Sequence, residues 1–268
     1  MSAGTTRRHR PRTFEPDARS VSFSLPGLPD LSTRLEANEW MDDFSISDER
    51  LTQALRDLRL TNRLVAGYAA TDAVLDPFLR ECDHLRLLDI GCGSGDYLVH
   101  LARRGARFGC TVTLIGVDAN PVTVGHARAY LDEQLSRSLR SQVRVEIEDA
   151  LAFPCDDNAV DIAHAALFLH HFHGDAARRL LRQMQRVSRH GIVVNDLHRH
   201  PLAWIGIWLL SRGLRMAPMV QHDGPMSVRR GFRADELRAL AQAAGLPAPS
   251  IRWHWAFRWT LSTIGNGE

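Results

Sequence analysis

From Arg86 onward, short apolar runs that suit strands alternate with longer stretches of helical period. The strand runs are Arg86 to Ile90, Thr111 to Val117, Val143 to Ile147, Val160 to Ala166 and Gly191 to Asn195. Helices are predicted up to about Arg104, from Val122 to about Leu139, and from Asp175 to about Val187. Strands this apolar on both faces belong inside a sheet covered by helices on both sides, so the pattern predicts a doubly wound, mostly parallel α/β fold. Residues 201–230 form a helical insertion after the fifth strand, followed by a helix from about Arg233 to Ala244 that Gly245 closes.

Ahead of the sheet, residues 31–83 read as an N-terminal helical cap. Its first helix starts at Ser47 as N-cap, with Asp48 and Glu49 in the first turn and Leu51, Leu55, Leu58 and Val65 as the apolar stripe. A second helix covers about Thr71 to Arg80. Residues 1–30 hold five arginines against three carboxylates, together with four prolines, and show no apolar period; a flexible tail is expected. At the other end, Trp253, Trp255, Phe257, Trp259 and Leu261 alternate with Arg252, His254, Arg258 and Thr260, the period of extended structure. No Gly, Pro or Asn before Gly265 offers a turn, so one strand and a hairpin both stay open.

Composition narrows the classes. The 268 residues are 44% hydrophobic and carry a formal charge of +2, too little for a concentrated basic face, so no nucleic-acid partner is expected. All 33 basic residues are arginine, which removes lysine-nucleophile and Schiff-base chemistry. Cys82, Cys92, Cys110 and Cys155 form no CxxC pair, and no apolar leader follows the basic first residues, so a cytoplasmic protein is expected. The apolar run from Pro201 to Leu210 falls short of the ~20 residues needed to span a bilayer.

The chemistry-bearing stretch is Leu87-Leu88-Asp89-Ile90-Gly91-Cys92-Gly93-Ser94-Gly95-Asp96, a strand running through a glycine turn into a helix. A dinucleotide site uses GxGxxG and leaves the helix start free for a pyrophosphate. Here the third glycine's place is Asp96, whose carboxylate repels a diphosphate and tolerates a nucleoside carrying a cation. Asp118, followed by Ala119, closes the second strand where a carboxylate can accept both ribose hydroxyls. Asp149-Ala150 closes the third, placed for an adenine amino group. S-adenosylmethionine has these parts: a sulfonium, an ammonium, a ribose and an adenine.

Over residues 84–264 the chain resembles the class I S-adenosylmethionine-dependent methyltransferases. LLDIGCGSGD resembles their first motif, VTLIGVDANP the second, EIEDALAFP the third, and FPCDDNAVDIAHAALFLHHF the fourth and its sequel. The resemblance implies a seven-stranded sheet ending in an antiparallel pair. It also implies Asp89 reaching the methionine ammonium, Gly91, Gly93 and Gly95 under the cofactor, and Ala166 at the neighbouring strand end. The N-terminal helices, including Asn62, Arg63 and Tyr68, are candidates for closing the side of the pocket opposite the insertion, with Arg63 a candidate for the methionine carboxylate.

The acceptor is read from the segments after the fourth and fifth strands. Ala165-Ala166-Leu167-Phe168 lacks the Asn/Asp-Pro-Pro-aromatic motif of amino-nitrogen methylases, and Cys155 precedes the fourth strand rather than coming after it. That strand ends in Ala, and Asn195-Asp196 supplies only half of a carboxylate metal site, so no metal is expected. His170, His171 and His173, with His198 and His200, fall at strand ends where ligands bind in open sheets. His171 and His198 are the first candidates for a base on a phenol or enol, and His170 and His200 the next. The insertion is read as a buried helix face through Trp204 and Trp208, or as a lid or membrane-surface helix over a small aromatic or apolar substrate. The expectation is methyl transfer to a phenolic or quinol oxygen, in the manner of bacterial natural-product and quinone methylases. Carbon methylation, a nicotinamide oxidoreductase and a non-catalytic binding protein are the alternatives.

Overall fold

Strand β1 (His84–Ile90) runs into the glycine turn and then α3 (Asp96–Phe108), preceded by helices α1 (Glu49–Leu64) and α2 (Ala69–Glu81). The computed structural model describes residues 27–46 and 48–265. Strand β2 (Thr111–Asp118) leads to α4 (Pro121–Gln134), and the short α5 (Arg137–Arg140) leads to β3 (Val143–Ile147). Strand β4 (Val160–Ala166), α6 (Gly174–Val187) and β5 (Ser188–Leu197) come next, then α7 (Pro201–Gly213), α8 (Pro218–Arg230), α9 (Ala234–Ala243), β6 (Ser250–His254) and β7 (Arg258–Ser262). The seven strands lie in the order β3-β2-β1-β4-β5-β7-β6, parallel except for β7, which is antiparallel to both neighbours. The order reverses between β1 and β4, and in open α/β sheets that switch point is where ligands bind.

One face of the sheet packs on α2, α3 and α4 through Leu75, Leu98 and Val124; the other packs on α6 and α9 through Leu180, Met184 and Leu237. The cap does not stand apart from the insertion: Leu51, Ala54 and Leu55 of α1 are buried against Met219 and Val220 of α8. Burying each leucine there contributes about 1.5–3 kcal/mol. Trp204 and Trp208 are buried with Val228, joining α7 to α8. No helix among the described residues is long and apolar enough to cross a membrane.

Two local expectations are corrected and one open choice is decided. Ser47 lies outside the described residues, and the cap of α1 is Asp48, whose carboxylate accepts from the Arg50 amide. The predicted helix from Val122 to Leu139 is two helices, because Leu135 leaves helical geometry and Ser136 caps a fresh turn through the Leu139 amide. The aromatic C-terminus is a hairpin, turned at Trp255–Phe257 with Phe257 at φ 58°. His254 pairs with Arg258 and Trp253 with Trp259, so partners share parity and the alternation is the same for a hairpin as for one straight strand. Most of the expected tail, residues 1–26, lies outside the described residues.

Candidate active site

The glycine turn is held in the left-handed conformation at Gly91, Gly93 and Gly95, with φ of 70°, 52° and 71°. Only glycine adopts this without strain. A Cβ on Gly91 would stand 2.2 Å from the ring of Phe168, whereas above Gly93 there is open space. The Gly93 amide donates to Asp118 Oδ2 at 3.2 Å, and the Asn120 amide donates to Oδ1 at 2.9 Å. Asn120 in turn caps α4 ahead of Pro121, which fixes where β2 stops. Burial raises the Asp118 carboxyl above its ordinary range, against the two amides that lower it.

Ile147, the register partner of Asp118, is 51% exposed and offers an apolar face beside that carboxylate. Ala119 and Asp149 are exposed and Ala150 is buried; the Asp149 carboxylate accepts from the Leu151 amide. Asp96 is claimed by the cap: Tyr68 Oη donates to it at 2.6 Å and Asn62 Nδ2 at 3.2 Å, with Ser94 Oγ at 2.8 Å. Burial first, and then Asp96, raise the Tyr68 hydroxyl, which stays a proton donor. Arg63 does not join them. It is exposed and donates to Tyr130 at 2.7 Å, which removes it from the expected cofactor set.

Beneath the turn runs a buried chain that sequence reasoning missed. His164 Nδ1 meets Asp89 Oδ1 at 2.7 Å, and its Nε2 meets Thr71 Oγ1 at 3.2 Å. Asn195 Nδ2 donates to Thr71 Oγ1 at 3.1 Å. Asp89, His164, Thr71 and Asn195 are all buried, so the acid of the first motif is oriented through the cap helix α2. A polar residue in the middle of an otherwise apolar strand was the available signal.

The five imidazoles do not form one cluster. His198 and His200 lie with Phe257, Trp253 and Trp259 of the hairpin, where His198 Nδ1 accepts from Trp253 Nε1 at 3.3 Å. Burial first, then His200, Arg199 and Arg233, lower the His198 imidazole to about 4. His173 precedes α6, and burial lowers it as well.

His170 and His171 instead close the 3-10 turn after β4, next to Ala166, Leu167 and Phe168, with the Phe168 ring 6.1 Å from that of His171. Phe168 thus stands between Gly91 and His171. His171 Nδ1 meets Asp42 Oδ1 at 2.7 Å, and His170 Nδ1 meets Asp196 Oδ1 at 2.7 Å. Burial pushes the His170 imidazole down, but Asp196 and Glu39 outweigh it and raise the group to about 9. A group that holds its proton at neutral pH is a poor base, which removes His170 from that role.

The strap from residue 27 to 46 brings the acidic partners. Its turn at Trp40–Asp42 is anchored on α8 by Asp223, which accepts from the Trp40 and Met41 amides. Arg230 donates to Asp42 Oδ2 at 2.7 Å and to the carbonyls of His170 and His171; Arg34 donates to the carbonyls of His170, Phe172 and Arg230. Glu39, Asp42, Arg34 and Arg230 carried no sequence signal, because each is far along the chain from the histidines or carbonyls it serves: 129 residues or more for Glu39, Asp42 and Arg34, and 60 and 59 for Arg230 to His170 and His171.

The chain and its fold have counterparts among known proteins. Residues 87–191 match a family described as a methyltransferase domain. A demethylmenaquinone methyltransferase of Roseiflexus castenholzii is 31% identical over 175 residues, 60% of this chain and 67% of that protein. A ubiquinone biosynthesis O-methyltransferase of Aeromonas salmonicida is 29% identical over 164 residues, 60% of this chain and 62% of that protein. The alignments thus take in about two thirds of these relatives' length. In fold, a SAM dependent methyltransferase from Aquifex aeolicus matches with a TM-score of 0.56 at 17% identity, over 78% of this chain and 95% of that one.

Proposed function

The chain belongs to the class I S-adenosylmethionine-dependent methyltransferases, and on that premise we propose that it methylates a phenolic or quinol oxygen of a small, mostly apolar acceptor. When bound, S-adenosylmethionine supplies a methyl group already activated by its sulfonium. The residues present fit it: an open cradle over Gly93, a carboxylate at Asp118 beside the apolar Ile147, and the Asp96 carboxylate in place of a phosphate site. In this reading Asp118 takes the ribose hydroxyls, Asp149 the adenine amino group and Asp89 the ammonium, with Gly91, Gly93 and Gly95 beneath and Ala166 at the edge.

The observation that carries the acceptor reading is His171. It sits one aromatic ring from the glycine turn, with Nδ1 committed to Asp42 and Nε2 left to face a hydroxyl. The chain's remaining work is alignment and exclusion of water. Phe168 and Phe172, packed edge to face at 5.1 Å, wall the acceptor side, while Arg34 and Arg230 tie the strap over the β4 exit. The names of the two relatives, both quinone-directed, support a quinol-like ring. A ring carbon of such a compound is the second reading, which the demethylmenaquinone relative favours.

The test is mass spectrometry of candidate phenols and quinols incubated with the protein and isotopically labelled S-adenosylmethionine. A labelled methyl ether is expected. Label on ring carbon selects the second reading, and no transfer to any phenol or quinol sinks both.

A further inference from the structure

Glu39, His170 and His171 bring one carboxylate oxygen and two imidazole nitrogens to within 4.8 Å of one another. Two of these atoms make no hydrogen bond of ordinary geometry. Glu39 Oε1 and His170 Nε2 are buried without any hydrogen-bond partner and face each other at 3.5 Å, on side chains only 4% and 3% exposed. Leaving such groups unmatched is costly, and either a proton on His170 Nε2 or a metal ion between the two atoms satisfies both.

The outer atoms are already arranged for one. His170 Nδ1 rests on Asp196 and His171 Nδ1 on Asp42, each at 2.7 Å. A carboxylate on the far nitrogen, as Asp196 stands behind His170 Nε2, is the support that metal-ligating histidines carry, because it fixes the tautomer and the ring orientation. In a tetrahedral set with bonds of ~2.0–2.1 Å, neighbouring donors stand about 3.4 Å apart. The edge between Glu39 and His170 is at that spacing now, and the His171 nitrogen lies within 4.8 Å of both.

Arg230 is the competing cation. Its Nη1 lies 3.6 Å from Glu39 Oε1, outside hydrogen-bond reach, and its N–H groups are directed at Asp42 and at the carbonyls of His170 and His171. It therefore shares the carboxylate's field without filling the space.

We propose that Glu39, His170 and His171 bind a divalent first-row transition ion of the zinc kind. Two imidazoles and one carboxylate suit zinc or cobalt rather than magnesium or calcium. Three protein donors leave one position open, the pattern of sites that also take water or a substrate oxygen. Because Glu39 comes from the strap and the histidines from the β4 exit, the ion also pins one to the other. The expectation of no metal weighed only residues after β4 and β5, and Glu39 lies outside that frame. The site does not rest on the acceptor reading but shares His171 with it: an imidazole nitrogen that holds the ion cannot also take a proton, so His171 acts as base only in the metal-free chain.

The experiment uses the full chain, stripped with chelator, desalted and titrated with zinc by calorimetry and with cobalt by visible absorption. Saturation at one ion per chain is expected, with a cobalt band. Glu39→Gln and His170→Gln should weaken binding at least about 100-fold, with folding checked by circular dichroism. Asp42→Asn, which removes the charge that His171 and Arg230 share and leaves the three donors in place, should weaken it about 10- to 100-fold. No saturable binding below millimolar concentration overturns the proposal: a proton then holds the place between His170 and Glu39. Binding unchanged in Glu39→Gln overturns it too, since the ion would lie elsewhere. Methyl transfer is scored separately, on the metal-free chain: a metal-binding chain that when stripped is inactive on phenols and quinols refutes the acceptor reading alone, and an active chain that binds no metal refutes the metal site alone.

Discussion

The two halves of the site are built differently. On the cofactor side the parts are close in sequence: Gly93 reaches Asp118, 25 residues on, and Asn62 and Tyr68 reach Asp96, 34 and 28 residues on. On the acceptor side His171 meets Asp42 across 129 residues, and Arg230 meets Asp42 across 188. The first is a motif and survives as a recognisable string. The second is an assembly, held by buried charge at the meeting of strap, β4 exit and insertion, and changing one member strands the others.

That contrast can be broken from either side. The largest effect is expected on stability from Arg230→Met, which takes one donor each from Asp42 and from the carbonyls of His170 and His171. Loss of a buried pair costs about 3–5 kcal/mol, read as a lower urea midpoint, while affinity for S-adenosylhomocysteine in the folded protein stays within about threefold of the parent. If affinity falls in step with stability, the halves are one unit.

Gly91→Ala attacks the other half. The left-handed backbone costs about 1–2 kcal/mol, and the Phe168 ring, 2.2 Å from the new Cβ, adds to it. Calorimetry should show S-adenosylhomocysteine binding weakened about 100-fold, some 2.7 kcal/mol. Adding Phe168→Ala should restore part of that loss; no recovery would mean that backbone strain alone is responsible.

His171→Ala sharpens the acceptor side, with an expected fall in kcat of at least about tenfold and an unchanged cofactor KM. His198→Ala, in the hairpin cluster, should leave kcat within about twofold. The reverse ranking would return the acceptor to the hairpin.

The smallest effect concerns the thiols. Cys82 and Cys110 stand 3.0 Å apart, and burial, with the Cys82 thiol behind it, pushes Cys110 up to about 12. Iodoacetamide at pH 8 should label the native chain at Cys110 far more slowly than the urea-unfolded chain, by peptide mass mapping.

The same contrast explains which parts could be read in advance. Strands β3 and β4 match their apolar runs, and the glycine turn has the positive φ values its composition demands. The hairpin was ambiguous because pairing symmetric about Ala256 preserves the alternation, and Arg63 misled because a helix-end arginine reads alike whether it faces a ligand or Tyr130. Glu39 and Asp42 were invisible for a simpler reason. Nothing local marks a carboxylate whose partner lies on another element, so His170 and His171 could be seen but not the groups that determine their chemistry.

The most direct test is calorimetric titration of S-adenosylhomocysteine, with NADH in parallel, into the parent chain, Asp118→Ala and His171→Ala. Binding at one per chain is predicted for the parent and for His171→Ala, about 10- to 100-fold weaker binding for Asp118→Ala, and no heat from NADH. Saturable NADH binding that Asp118→Ala abolishes, or S-adenosylhomocysteine binding indifferent to Asp118, would contradict it.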